Sequence, residues 1–363
     1  MRSLPTAGSF LPILGCIVSA IAQSPPAPAP KAPPSLYVTT VQDLRAAANV
    51  LEGDVFLELP DLPDDLAAAR FNEPQWDELR VRHAKEIATF AQAARLPAAD
   101  FGVAKDPIDL GYDEMRVALF QLARITAAQG WHHQRSGVPG AAAHDAVTLL
   151  RHARHVAALP SSYAGYAAFV AERLAAALVS EICRTDGGLD DKARGRLRTE
   201  LDEHLQRRCG RSRFVANVQG EVRWRLAATV RAAAAKGSMD AGKRAKPDPT
   251  DELIASRGSV IADRIEQIVA DWLAPLQREG DVDLAVALAE LDRQVAIAKK
   301  TAEPKKVREQ LPKLSAKQAI EAVATMYALM MCPPIKDLLQ AEARAAVELR
   351  DCRSQLGDAP PVK

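Results

Sequence analysis

The chain has 363 residues, of which 47 are basic and 46 acidic, and its net charge is +1; hydrophobic residues make up 48% and aromatic residues 5%. A charge this close to zero argues against a dedicated nucleic-acid binder, which carries a basic surplus. Much of the hydrophobic content is alanine, and small side chains favour many closely approaching helices over one thick core.

The N-terminus predicts a secretory signal peptide over residues 1–22. Arg2 provides the basic start, residues 10–22 are apolar, and Ala20 and Ala22 fit a cleavage site before Gln23. The apolar run is shorter than the ~20 residues that a membrane-spanning helix needs. A lipid anchor at Cys16 is the alternative, although the residues after it are still apolar. We therefore expect a periplasmic or secreted protein without a transmembrane span in its mature form.

Composition divides the rest of the chain into segments. A proline-rich stretch over 23–36 predicts an extended, disordered tether. A helical core domain is expected over 37–235, followed by a Gly-, Pro- and Lys-rich flexible linker over 236–250. The C-terminal helical region is expected over 251–356, and a short tail over 357–363.

The first strong helical patterns lie at 74–95 and 113–129. Trp76, Leu79, His83, Ile87 and Phe90 form one stripe at helical spacing in the first of them. The stretch from 130 to 140 begins and ends with glycine, and it predicts a loop.

The clearest pattern is a helical hairpin over 141–183. Apolar residues recur at helical spacing on both sides of a turn at 159–162. Pro160 cannot continue a helix, and Ser161 or Ser162 can cap the next one.

Further helices are expected over 189–208, 215–235, 251–276, 281–299, 316–331 and 335–356. In the first of these, Asp190 and Asp191 stand at the start and Arg207 and Arg208 at the end, which is the charge order that the helix dipole favours. No ~34-residue period runs along the chain. The predicted fold class is all-α, an irregular array of antiparallel helical hairpins.

Histidines supply the candidate metal site. His152 and His155 are three residues apart on one helix, and His144 lies eight residues before His152. Zinc needs a third protein ligand and compensating negative charge, whereas Arg151 and Arg154 flank the pair. The other interpretation places these histidines on a solvated polar face, and we assign no metal, cofactor or catalytic residue.

Acid–base chemistry has one candidate pair, Glu200 and His204, four residues apart on a helix. A surface ion pair is the commoner meaning of that spacing. The sequence contains none of the common hydrolase, phosphate-binding or dinucleotide-binding motifs.

A basic segment spans residues 299–317, with lysine or arginine at seven positions. It could touch an anionic lipid or polysaccharide. The alternative is a solvated, proline-broken connector between helices.

Four cysteines follow the predicted cleavage site: Cys183, Cys209, Cys332 and Cys352. An even number in an oxidising compartment favours disulfides. Helix length separates Cys183 from Cys209 by roughly 30 Å and Cys332 from Cys352 by roughly 25 Å, which is beyond a disulfide's reach. Any disulfide should therefore join Cys183 or Cys209 to Cys332 or Cys352, and four unpaired thiols are the alternative.

Several stretches together resemble a loose class of uncharacterised exported bacterial helical proteins. They are Leu57–Pro63, Ala98–Gly102, the helix that ends at Ala127–Gly130, and Ala146–Val156, so the resemblance covers roughly residues 55–185. The segment after Gly130 is longer here, and the C-terminal third matches no part of the pattern. The resemblance implies an exported helical fold and no particular activity.

These observations favour an exported, non-enzymatic scaffold or protein-binding module of the cell envelope, with homo-oligomerisation left open. Arrays of helices offer long grooves for partner proteins. One alternative is a metal-dependent hydrolase that uses the region from His132 to His155. The other is a peripheral binder of anionic envelope surfaces through Lys299–Lys317.

Overall fold

Helices account for the regular structure throughout the part of the chain that the computed structural model describes. That part comprises residues 74–97, 111–159, 162–185, 188–227, 230–231, 234, 249–277, 284–331 and 335–357. The predicted signal peptide, the proline-rich tether, residues 236–248 of the predicted linker and Cys332 lie outside the described residues.

Twelve α-helices and no strand occur within these ranges, so the predicted all-α class is confirmed. The helices are α1 (Pro74–Arg82), α2 (Ala84–Ala94), α3 (Gly111–Arg135), α4 (Pro139–Val156), α5 (Ser162–Arg184), α6 (Asp191–Arg207), α7 (Arg211–Glu221), α8 (Pro249–Gln277), α9 (Leu284–Thr301), α10 (Pro304–Gln310), α11 (Ala316–Met331) and α12 (Ile335–Gln355).

The central helix is α5, which forms the predicted hairpin with α4 and also packs on α3, α7 and α12. Phe169, Leu174, Leu178 and Ile182 are fully buried along it. Because α5 has neighbours around most of its circumference, it is apolar on nearly every face, as a buried helix must be.

A second group of helices forms around α8, which packs on α7, α9 and α11. Ile261, Ile265 and Leu273 are buried on its inner face. The last helix, α12, returns to α5 and α6. The described residues all belong to one compact unit.

Two sequence predictions about the helices before residue 140 differ from the structure. The single helix expected over 74–95 is interrupted at His83, whose backbone (φ −105°, ψ 24°) leaves the helical range and separates α1 from α2. The loop expected over 130–140 is confined to residues 136–138, because α3 continues through Gly130 to Arg135.

Gly130 has a packing role. A Cβ atom at this position would overlap the Leu178 side chain of α5. The absence of a side chain therefore lets α3 approach α5 closely, and the glycine that resembled a helix stop is a contact point between two helices.

The helix expected over 215–235 is also interrupted. The α-helix ends at Glu221, and a π-helical turn, Val222–Ala227, follows it. The expected boundaries at 316–331 and 335–356 agree with α11 and α12 to within one residue. None of the described helices combines the length and the apolar character that crossing a bilayer requires.

Candidate functional site: the cleft between α4 and α6

A cleft of about 860 Å³ lies between α4 and α6. This volume falls within the range typical of ligand and partner sites. The α4 side contributes small residues, Gly140 and Ala143, together with His144 and Val147. The α6 side is mainly polar, with buried Leu197 as its apolar exception.

Topology determines how the cleft is oriented. The first residues of α4 and α6 line the same cleft, and Arg151 and Arg154 further along α4 bond to Glu200 further along α6, so the two helices run in the same direction. Gly140 and Asp191 therefore mark the same end of the cleft, where both helices begin. The positive ends of two helix dipoles thus lie together at that end.

The other end of the cleft is closed by an ion-pair cluster. Arg151 donates to the Oε2 atom of Glu200 at 2.7 Å, and Arg154 donates to Oε1. Burial would raise the pKa of the Glu200 carboxyl, but these two hydrogen bonds outweigh it and hold the pKa below its usual value. Glu200 stays ionised and ties α4 to α6.

Some of the other charged residues in the cleft have ion-pair or hydrogen-bond partners within the protein, and others do not. The carboxylate of Asp190 caps α6 by accepting from the Ala193 amide at 2.6 Å, and Glu203 pairs with Arg207 at 2.8 Å. Lys192 and Arg196 have no ion-pair partner among the described residues. Arg198 also lines the cleft and donates only to the backbone carbonyl of Gly357, at 3.4 Å, so this wall has three cations without an ion-pair partner in the described part of the chain.

His144 lies at the rim of this cleft. Arg95 donates to its Nε2 atom at 2.8 Å, so Nε2 is the acceptor. Burial first, and then the positive charge of Arg95, lower the pKa of His144. Its imidazole is therefore neutral at physiological pH, and an arginine already uses the nitrogen that a metal would need.

The other two metal candidates lie in different surroundings. His152 is fully buried, and its ring meets Phe90 edge-on at a centroid distance of 4.5 Å. His155 is half-buried and hydrogen-bonds to the backbone of Leu96, and its pKa is lowered mainly by burial. The solvated face expected for His152 is wrong, because α2 packs over this side of α4.

Two further histidines lie on α3 near its C-terminal end. His133 Nδ1 donates to the buried Asp145 carboxylate at 2.7 Å, which joins α3 to α4. Burial raises the pKa of Asp145 in spite of this bond.

The neighbouring His132 lies between Asp77 (3.4 Å) and Ser136 (3.5 Å), in the order of an acid–base–nucleophile triad. The side chains of Asp77 and His132 are 51% and 34% exposed, and none of the three residues lines the cleft. The region from His132 to His155 therefore contains several separate histidine contacts. In the described ranges, no group of three or more His, Cys, Asp or Glu side chains is placed to share a metal ion.

A buried ionic cluster lies behind the cleft, at the far end of α6. Glu172 of α5 accepts from His204 Nε2 at 2.9 Å and from Arg208 at 2.8 Å, and Arg208 also donates to Glu342 of α12 at 2.5 Å. Glu172 is 1% exposed and His204 is not exposed at all. This cluster connects α5, α6 and α12.

The expected surface pair between Glu200 and His204 is therefore wrong. Both residues are buried, and each has a different partner: Glu200 bonds to arginines of α4, and His204 bonds to Glu172 of α5. Helical spacing places them on one face of α6, but this face meets α4 at Glu200 and Glu172 of α5 at His204.

Sequence reasoning missed Glu172, Arg208 and Glu342. One signal was present, because Glu172 and Arg173 are the only charged residues in the first 19 positions of an otherwise apolar α5. Charges in the middle of a buried helix require buried partners. The identity of those partners depends on α12, more than 160 residues away in sequence.

The cysteines described by the structure, Cys183, Cys209 and Cys352, have free thiols. Cys352 Sγ contacts the Ala176 carbonyl at 3.1 Å and Ser180 Oγ at 3.3 Å, on the α5 face that continues toward Cys183. Burial raises the pKa of Cys352 to about 11. A disulfide that joins Cys183 or Cys209 to Cys332 or Cys352 stays a prediction, with Cys332 outside the described residues.

Comparison of the chain with protein-family models, curated proteins and solved structures finds no match in any of the three. A function for this chain therefore has to be argued from the geometry and charge of its own residues.

Proposed function

We propose that this protein is an exported, non-enzymatic helical scaffold or protein-binding module of the cell envelope, and that the α4–α6 cleft holds a segment of its partner. The single observation that carries the proposal is the open cleft of about 860 Å³ between two parallel helices. Grooves of this kind receive helical or extended segments of other proteins.

Charge in the cleft suggests what the segment carries. Asp190, Glu200 and Glu203 are each held by a partner within this protein. Lys192 and Arg196 have none in the described part of the chain, and two helix N-termini add positive potential at the same end. Asp191 is the remaining acid, and it sits in the first turn of α6, where the helix dipole stabilises it. We therefore propose a partner segment with acidic side chains.

Export is supported by the leader-like pattern over residues 1–22. N-terminal sequencing of the protein recovered from the envelope fraction should give Gln23 as the first residue. A lipid-modified Cys16 at the mature N-terminus would contradict this processing.

The cleft can be tested by photo-crosslinking from Gly195, which lines the cleft and has open space where a side chain would extend. A photoreactive residue there should give one dominant crosslinked protein in envelope preparations. The same residue at Gly210, which also faces open space but does not line the cleft, is the control and should give no such product.

Charge reversal distinguishes specific docking from proximity. The double variant Lys192→Glu, Arg196→Glu should lose the crosslink from Gly195. The variant Arg194→Glu lies on the same helix outside the cleft, and it should retain the crosslink. A crosslink only to a second copy of this chain, or equal crosslinking from Gly195 and Gly210, would contradict the proposal.

A further inference from the structure

A second surface, distant in sequence from the cleft, carries an excess of positive charge. We call residues 299–317 the basic corner. They contain seven basic and two acidic side chains, a net charge of +5 in a chain whose total is +1. All seven cations are exposed: Lys299, Lys300, Lys305, Lys306, Arg308, Lys313 and Lys317.

The basic corner connects α9 to α11, as the expected solvated connector would, and it has regular structure of its own. Pro304 begins α10, and Pro312 lies in a 3-10 turn, Leu311–Lys313, so both prolines occupy early helical positions that tolerate them. Ala302, Val307 and Leu311 are buried and anchor the segment to the rest of the molecule. Because these three residues are buried, the lysines between them lie on the exposed side of the segment.

Acidic side chains neutralise little of this charge. Glu303 pairs with Lys306 at 2.6 Å, and Glu309 is the only other acid in the segment. On the helices beside it, Glu321 is bonded to Arg264 and Asp292 to Lys336. Lys306 and Arg308 thus interact within the protein, while the other five cations have no ion-pair partner among the described residues.

Side-chain chemistry selects the class of that partner. Six of the seven cations are lysines, which act as compact point charges without the bidentate fork of arginine. The segment contains no Phe, Tyr or Trp, so it lacks the stacking surfaces on which single-stranded nucleic acids are held. The buried positions of Val307 and Leu311 leave these apolar side chains unavailable for insertion between lipid chains.

We infer that the basic corner docks the protein on an anionic phospholipid surface through lysine–headgroup electrostatics. This inference does not depend on the proposed function, because the corner and the α4–α6 cleft share no residue. Binding of this kind is superficial, additive over the lysines and sensitive to salt.

The test is partitioning of the full-length chain onto vesicles that contain phosphatidylglycerol, compared with vesicles of phosphatidylcholine alone. The apolar run at residues 10–22 contributes to both measurements, so the difference between the two vesicle types isolates the electrostatic part. The wild type should prefer the anionic vesicles. The preference should disappear when salt rises from about 0.1 M to about 1 M, because the Debye length falls from about 10 Å to about 3 Å.

Removing positive charges from the basic corner tests whether this segment causes the preference for anionic vesicles. The variant Lys300→Gln, Lys305→Gln, Lys313→Gln should lower the partition coefficient on anionic vesicles about 100-fold, at roughly fivefold per lysine near the surface. The matched control, Arg184→Gln, Arg207→Gln, Arg350→Gln, removes three positive charges elsewhere on the protein and should change the partition coefficient less than about threefold.

Three outcomes would overturn the inference: no preference for anionic vesicles, equal losses in the two triple variants, or binding to a soluble polyanion such as heparin without binding to vesicles. Circular dichroism of both triple variants checks that they keep the helical fold. Because the substituted lysines are exposed, the lysine variant should fold as the wild type does.

Discussion

The two ends of α6 face opposite conditions. Its first half borders the open cleft, where Lys192, Gly195 and Arg196 lie beside solvent-accessible space. At the other end, His204 in the last turn bonds to Glu172, and Arg208 just beyond the helix bonds to Glu342. Both bonds belong to one buried cluster. The same helix therefore carries charges available for a partner at one end and charges that hold the fold together at the other.

Burial accounts for this difference. A surface ion pair contributes about 0–1 kcal/mol because water competes for both charges. Breaking a buried pair costs several times more, because the remaining partner is left charged in a low-dielectric environment. Substitutions at the two ends of α6 should therefore differ in kind: loss of stability at the buried end, and loss of binding at the open end.

The largest expected effect is on stability at the buried end. Glu172→Ala leaves both His204 and Arg208 without their shared carboxylate, and we expect the free energy of unfolding to fall by about 3–5 kcal/mol. Urea denaturation measures the change. Glu203→Ala, which removes a more exposed carboxylate of the same helix array, is the control and should cost no more than about 1 kcal/mol. Equal losses in the two variants would show that the Glu172 cluster is solvated.

The same cluster should make stability depend on acid pH. Burial opposes ionisation of Glu172, but the bond from His204 and the charge of Arg208 outweigh it, so the pKa of Glu172 is lowered in the folded state. A carboxyl with a lowered folded pKa stabilises the protein above its unfolded pKa of about 4.3, and this stability is lost as the pH falls through the folded pKa.

Unfolding measured from pH 7 downward should therefore show a decline that begins below about pH 5. Glu172→Gln should flatten the decline, while Glu203→Gln should leave it nearly as in the wild type. An unchanged slope in Glu172→Gln would assign the acid sensitivity to other carboxylates, of which Glu200 is the next candidate.

The contrast between the buried interior and the open cleft also applies to packing, and two glycines test it. Gly165 of α5 faces Phe214 of α7, and an added Cβ would lie 2.7 Å from the ring. Phe214 is fully buried and packs on Phe169 at a centroid distance of 5.5 Å, so it has little room to move. We expect Gly165→Ala to lower the free energy of unfolding by about 1–3 kcal/mol through overpacking. A gain in thermal stability would mean that the Phe214 ring can relax.

The smallest expected effect has the opposite sign. Gly195 lies inside α6 at the cleft, and an added Cβ would meet nothing within 4 Å. Gly195→Ala should therefore raise the free energy of unfolding by about 0.5–1 kcal/mol, because alanine has the higher helix propensity. Calorimetry of Gly195→Ala and Gly165→Ala under the same conditions compares their unfolding temperatures directly. A loss of stability in Gly195→Ala would show that the cleft is narrower than described.

The fold class was predictable from the sequence because helical periodicity is a local property. The hairpin of α4 and α5 and the final pair α11 and α12 were found nearly to the residue. The misplaced boundaries at Gly130 and His83 depend on tertiary contact. Gly130 continues a helix because Leu178 of α5 lies against it, and His83 interrupts one while remaining buried.

The candidate site was predictable only in part. His144 and Glu200 were recognised as chemically capable residues, and both line the cleft. Their partners were not recognised, because Arg95 lies 49 residues before His144 and Arg151 lies 49 residues before Glu200. Sequence spacing instead paired Glu200 with His204, which helix packing separates.

The sequence by itself determined that this chain is helical and where most helices lie, because periodicity and proline act within a few residues. It also determined the exposure of the lysines of the basic corner, since so many charged side chains in one short segment cannot all be buried. Tertiary structure alone decided which charges are buried and which line the cleft. In the sequence, Glu172 and Lys192 are both ordinary charged residues of helices. In the structure, α12 packs on α5 and encloses Glu172, whereas the cleft between α4 and α6 leaves Lys192 exposed.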